Sequence, residues 1–102
     1  MSVLNNLLRR IIFFSNVTSL NWGGLDEYNR MFFKSAENYI NEYLQCRGYI
    51  TWEKINDILG VTPTLDDINN ISVYKYTGKI LRLDVKQITF DLPSYGIGFR
   101  EE

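Results

Sequence analysis

Residues 35–61, SAENYINEYLQCRGYITWEKINDILGV, decide the architecture of this chain. Ala36, Tyr39, Ile40, Tyr43 and Leu44 fall at helical spacing on one face, with Glu37, Asn38, Asn41, Glu42 and Gln45 opposite. Gly48 suits the left-handed position just past a helix end. Thr51 is placed to cap a second helix that carries Trp52, Ile55, Ile58 and Leu59 and stops at Gly60. The segment therefore predicts a central helix-turn-helix pair. Tyr39, Ile40, Tyr43, Leu44, Trp52, Ile55 and Leu59 would form the spine of the core.

Upstream, residues 25–34, LDEYNRMFFK, admit two readings. Leu25, Tyr28 and Phe32 extend the first helix backwards, or the run Met31, Phe32, Phe33 forms a short strand and Ser35 caps a fresh helix. Residues 15–24, SNVTSLNWGG, are rich in Ser, Asn and Gly and read as a loop. Before them, Val3, Leu4, Leu7, Leu8, Ile11 and Ile12 recur at helical spacing against Asn5, Asn6, Arg9 and Arg10, with Ser2 as N-cap. An isolated helix this short is marginal, so it must dock, on its own core or on a partner or membrane surface. The division expected is an amphipathic N-terminal helix over 1–14 acting as an interaction element, a loop over 15–24 and a single α+β domain over 25–102. The residues expected to touch a partner are Leu4, Leu7, Leu8, Ile11 and Ile12.

Downstream the period changes. Pro63 marks a turn, and residues 64–70, TLDDINN, suit one helical turn with Asp66 and Asp67 near its positive end. ISVYKY (71–76) and KILRLDV (79–85) flank Thr77-Gly78, which predicts a hairpin. Ile88, Phe90 and Leu92 alternate, as do Tyr95, Ile97 and Phe99. The expected fold class is α+β, with helices first and a C-terminal antiparallel sheet of three to four short strands after. The glycines of YGIGF lie in an apparent strand and mark a bulge or a close backbone approach.

At 102 residues the chain has room for one core, burying roughly 65% of its unfolded surface. There is no histidine, so the commonest general base and metal ligand is missing, and one cysteine falls short of a zinc site. Asp66-Asp67 and Glu101-Glu102 are the only adjacent carboxylates, and they suit a helix start and a solvated tail. No catalytic, cofactor-binding or metal-binding residue is expected. Cys46 beside apparently buried positions reads as a structural thiol. No apolar run approaches the roughly 18 residues a membrane span needs, and Arg9 and Arg10 interrupt the apolar residues instead of preceding them, the wrong order for a signal peptide. GYITWEKINDILGVTPTLDDINN has a helix-turn-helix outline, and the next hairpin would be a wing. Its recognition helix would carry two aspartates and no Lys or Arg, so nucleic acid is not an expected partner.

The run FFKSAENYINEYLQCRGYITWEKINDILGVTPT resembles part of a family of small phage and prophage proteins classed as a domain of unknown function. The shared pattern is an aromatic-Lys-Ser step, Ala-Glu-Asn at a helix start, Gly-Tyr-Ile, Asn-Asp before Leu-Gly, then Pro-Thr. It covers residues 28–65, and more loosely the strand-rich tail over 71–100. The longer N-terminal hydrophobic segments common in that family, and its Gly-Trp step after Pro-Thr, are not found here. The resemblance implies a phage setting and an α+β arrangement, favours a strand at residues 31–34, and supplies no functional residues. The expectation is a small phage protein acting by protein–protein contact, a structural component of the virion, with a protein partner or self-assembly into an oligomer. Its expected location is the virion or the host cytoplasm. A soluble regulator or inhibitor of a host or defence protein, and more remotely a winged-helix DNA binder, are the alternatives.

Overall fold

A computed structural model describes residues 10–62 and 73–102. In chain order they form β1 (Ile12–Phe14), α1 (Asp26–Arg47), β2 (Tyr49–Thr51), α2 (Trp52–Leu59), β3 (Val73–Lys75), β4 (Leu81–Thr89) and β5 (Ser94–Glu101). The class is α+β: two helices, a three-stranded antiparallel sheet in the order β1-β5-β4, and a two-stranded ribbon of β2 and β3.

The glycine turn between the helices holds as read. The Gly48 backbone is left-handed at φ 78°, and its N–H donates to the Leu44 carbonyl at 2.7 Å. The Thr51 hydroxyl accepts from the Lys54 N–H at 3.1 Å, and Gly60 closes α2 at φ 72°. Helix α1 is one element of 22 residues, so residues 31–34 are helix and not strand. The reason lies in its buried stripe, Asn29, Phe33, Ala36, Ile40 and Leu44, which continues the helical period unbroken. Met31 is exposed, so the Met-Phe-Phe run wraps around a helix instead of alternating across a strand. That stripe also corrects the expected core. Tyr39, one position from Ile40 and so about 100° round the helix, is 50% exposed. Tyr43 is only partly buried, while Ile40, Leu44, Trp52, Ile55 and Leu59 are buried.

The chain enters the sheet earlier than expected. Residues 12–14 are a strand, not the end of a helix, and pair antiparallel with β5 through Ile12↔Ile97 and Phe14↔Tyr95. Ile12 and Phe14 face the core while Ile11 and Phe13 face solvent, a period of two. Phe14 meets Phe33 edge to face with ring centroids 4.8 Å apart, and Phe33 meets Tyr95 likewise at 5.0 Å.

The expected hairpin across Thr77-Gly78 does not form. β3 pairs with β2, Ile50 opposite Tyr74, and β4 pairs with β5. Tyr74 is fully buried and its phenol donates to Glu101 Oε1 at 2.6 Å, which ties the ribbon to the end of β5. Burial first and then the Glu101 carboxylate push the Tyr74 phenol above its ordinary pKa. Ile88 lies beside an irregularity in register between Gln87 and Thr89, and Phe90 and Leu92 occupy the turn to β5; all three are exposed. Residues 64–70, expected to form one helical turn, lie outside the described residues.

β4 is an edge strand, and α1 covers part of its open side. Asn41 Oδ1 accepts from the Leu81 N–H at 2.8 Å, and Asn41 Nδ2 donates to the Leu81 carbonyl at 2.9 Å. Two residues along, Glu37 Oε2 accepts from the Leu83 N–H at 2.9 Å. Helix side chains thus supply the pairing a neighbouring strand would supply, which blunts the edge. Cys46 corrects another expectation: it is exposed on α1 and takes no part in the core.

Candidate contact surface

Of the five residues expected to touch a partner, Leu4, Leu7 and Leu8 lie outside the described residues. The other two are separated by the strand period. Ile12 is 3% exposed and belongs to the core, whereas Ile11 is 60% exposed on the opposite side of the sheet. Ile11 shares that outer face with residues the sequence reading did not single out.

The face is set by register. On β5, Tyr95, Ile97 and Phe99 are buried inward, so Gly96 and Gly98 lie on the outer side. Phe13 of β1 stands opposite Gly96, and Lys86 of β4 stands opposite Gly96 on the other flank. Asp84 stands opposite Gly98. A Cβ at Gly96 would lie 3.5 Å from Ile11 Cγ2 and 3.9 Å from Ile88 Cδ1, so Ile11 and Ile88 flank the space above this glycine. Phe13 is 63% exposed and Ile88 52%. The centre of the face is therefore a hollow floored by glycine backbone. Ile11 and Phe13 wall it on one side, and Asp84 and Lys86 line the other.

Neither glycine is needed by the fold. At Gly98 an added Cβ would meet nothing closer than 3.8 Å, and neither residue has a positive φ. Glycine in a strand interior costs about 0.5–1 kcal/mol relative to alanine, so two on the central strand are a stability loss that packing does not require. The YGIGF glycines mark no bulge, since the register irregularity falls at Gln87 and Thr89 on β4. The signal for this surface was present in the sequence as glycine alternating with Tyr95, Ile97 and Phe99.

The charges around the hollow are largely matched. Arg82 Nη1 lies 2.8 Å from Glu37 Oε1, and Arg82 Nε lies 2.7 Å from Glu102 Oε2. Hydrogen bonds from Glu37 first and Glu102 second hold the Arg82 guanidinium more firmly protonated than usual. Arg100 lies 3.8 Å from the same Glu102 oxygen.

Two other polar regions serve the fold. Tyr95 donates to Asp26 Oδ1 at 2.8 Å and accepts from Asn29 Nδ2 at 3.3 Å, while Asn29 Oδ1 accepts from the Gly23 N–H at 2.7 Å. The Tyr95 hydrogen bond, and next Arg30, hold the Asp26 carboxyl below its ordinary pKa; burial pushes the Tyr95 phenol up. This latch joins the start of α1 to β5. A cleft of about 320 Å³ between α1 and α2 is floored by Phe32, Ala36 and Ile58, with Lys54 and Asp57 paired at its rim. Among the described residues, no group of three or more His, Cys, Asp or Glu is placed to hold a metal ion. Among them, too, no helix is long and apolar enough to cross a membrane. Comparison of the chain with protein-family models, curated proteins and solved structures gives no match in any of the three.

Proposed function

We propose that this chain works by protein–protein contact and not by catalysis, as a structural component of a phage particle. The observation that supports the contact role is the outer face of the three-stranded sheet, where Ile11, Phe13 and Ile88 stand exposed around a glycine hollow. Exposed apolar side chains gathered on one face of a sheet favour a contact surface over chance scatter. The phage setting rests on the likeness of residues 28–65 to the small phage and prophage proteins described above. On this reading the chain belongs in the virion or the host cytoplasm. The hairpin across Thr77-Gly78 that would be the wing of the winged-helix alternative is not formed, because β3 pairs with β2 and not with β4.

Mass spectrometry of purified particles tests the role. The expected result is this protein at a fixed copy number per particle. Absence from particles, together with recovery bound to a host protein from infected cells, would replace the structural role with that of a soluble regulator.

A further inference from the structure

We infer that the outer face of the β1-β5-β4 sheet pairs with the same face of a second copy of this chain. The inference rests on the contact role proposed above and names its partner.

The face carries a projection and a hollow side by side. Phe13 projects from β1, and the neighbouring position across the strands is Gly96, with Gly98 next along the same side of β5. A twofold axis parallel to the strands, running between β1 and β5, brings Phe13 of each copy over Gly96 of the other. A surface that holds both halves of such a fit is self-complementary, which is what a twofold interface requires. The glycines then have a use that folding alone does not give them: absent side chains let a partner's ring approach the backbone.

Charge is consistent with this pairing. Arg82 and Arg100 are neutralised by Glu37 and Glu102, and Asp84 and Lys86 are of opposite sign at alternate outward positions. Two copies of the face therefore meet without net like-charge repulsion, and the β4 charges stay at the wet rim. The third consideration is size. Three strands about 4.8 Å apart give a face about 14 Å wide, and the eight residues of β5 at about 3.4 Å each make it about 27 Å long; the area is at most roughly 400 Å², well below the roughly 800 Å² per partner of a standard interface. The pair is therefore weak in solution, strengthened where many copies are held together.

Sedimentation of the full chain across a concentration series tests this. The wild-type protein is expected to shift reversibly from monomer towards dimer over roughly 0.01–1 mM, the range for a small interface. Phe13→Ser removes the projection and Gly96→Val fills the hollow; each is expected to move the transition at least tenfold higher in concentration while leaving the circular dichroism spectrum unchanged. If Gly96→Val fails to fold, Gly98→Val makes the same test. A wild-type chain that stays monomeric at 1 mM overturns the inference, as does a dimer that neither kind of variant weakens. A monomeric chain still found at fixed copy number in particles would sink the self-pairing and leave the contact role standing.

Discussion

Replacing Asn41 with alanine should unfasten the edge of β4 from α1. The amide side chain makes a matched pair of hydrogen bonds to Leu81, accepting from its N–H and donating to its carbonyl, and also donates to the Glu37 carbonyl at 2.8 Å. Glu37 O retains its helical partner, so the loss falls on the two Leu81 groups. Each such bond contributes about 0.5–1.5 kcal/mol net, and the site is partly open to water, which sets the expected cost near 2 kcal/mol. For a domain of this size that corresponds to a fall in Tm of about 8–16 °C. Urea denaturation followed by circular dichroism measures the total. Amide hydrogen exchange localises it, because Leu81 should lose protection while Ile97, inside the sheet, keeps it. A loss below about 0.5 kcal/mol, or unchanged exchange at Leu81, would show that water replaces Asn41 without penalty and that the helix does not guard this edge.

Three further outcomes follow from the packing and electrostatics. Leu44→Ala and Trp52→Ala should each cost about 3 kcal/mol or more, since both side chains are buried in the core; losses under 1 kcal/mol in urea titrations would mean the helix faces are misassigned. Deleting residues 1–14 removes β1 with Phe14, which is fully buried against Phe33 and Tyr95, so the truncated chain should lose its cooperative melt. A sharp melt in the truncated chain would return residues 12–14 to the role of a detachable segment. Asp26 has a folded-state pKa below its unfolded value, so its stabilisation is present above that unfolded value and lost as pH falls through the folded one. The stability gap between wild type and Asp26→Asn should therefore shrink as pH falls from 6 towards 3; a constant gap would show that the carboxylate charge is not what Tyr95 and Arg30 hold.

The parts of this fold that are legible in the sequence are those set by local chemistry. Gly48, Thr51 and Gly60 act through bonds within a few residues of themselves, so the helix ends at those positions can be read without knowing the rest. Tyr95, Ile97 and Phe99 alternate cleanly between polar or glycine neighbours, and the strand follows. Illegible features depend on a distant partner. The run Ile11, Ile12, Phe13, Phe14 is apolar at every position and fits either period; pairing with β5 selects the strand and divides the four between core and solvent. Tyr74 and Leu81 flank a plausible turn, but Tyr74 buries against Ile50 while Leu81 is held by Asn41, so two sheets form where one hairpin is expected. The contact surface is half legible for the same reason. The glycines of YGIGF stand out, whereas the approach of Ile11 and Ile88 to Gly96, with Phe13 opposite it, exists only once three strands are assembled.

The central claim is that two copies of this chain pair through the outer face of the sheet. A dilution series of ¹H–¹⁵N correlation spectra on the full-length chain tests it most directly. The backbone amides of Phe13, Asp84, Gly96 and Gly98 should shift progressively with concentration, while those of Ile55 and Leu59 in the core stay fixed. Shifts confined to Phe32, Tyr39 and Ile58 at the helix cleft, or spectra identical at every concentration, would contradict it.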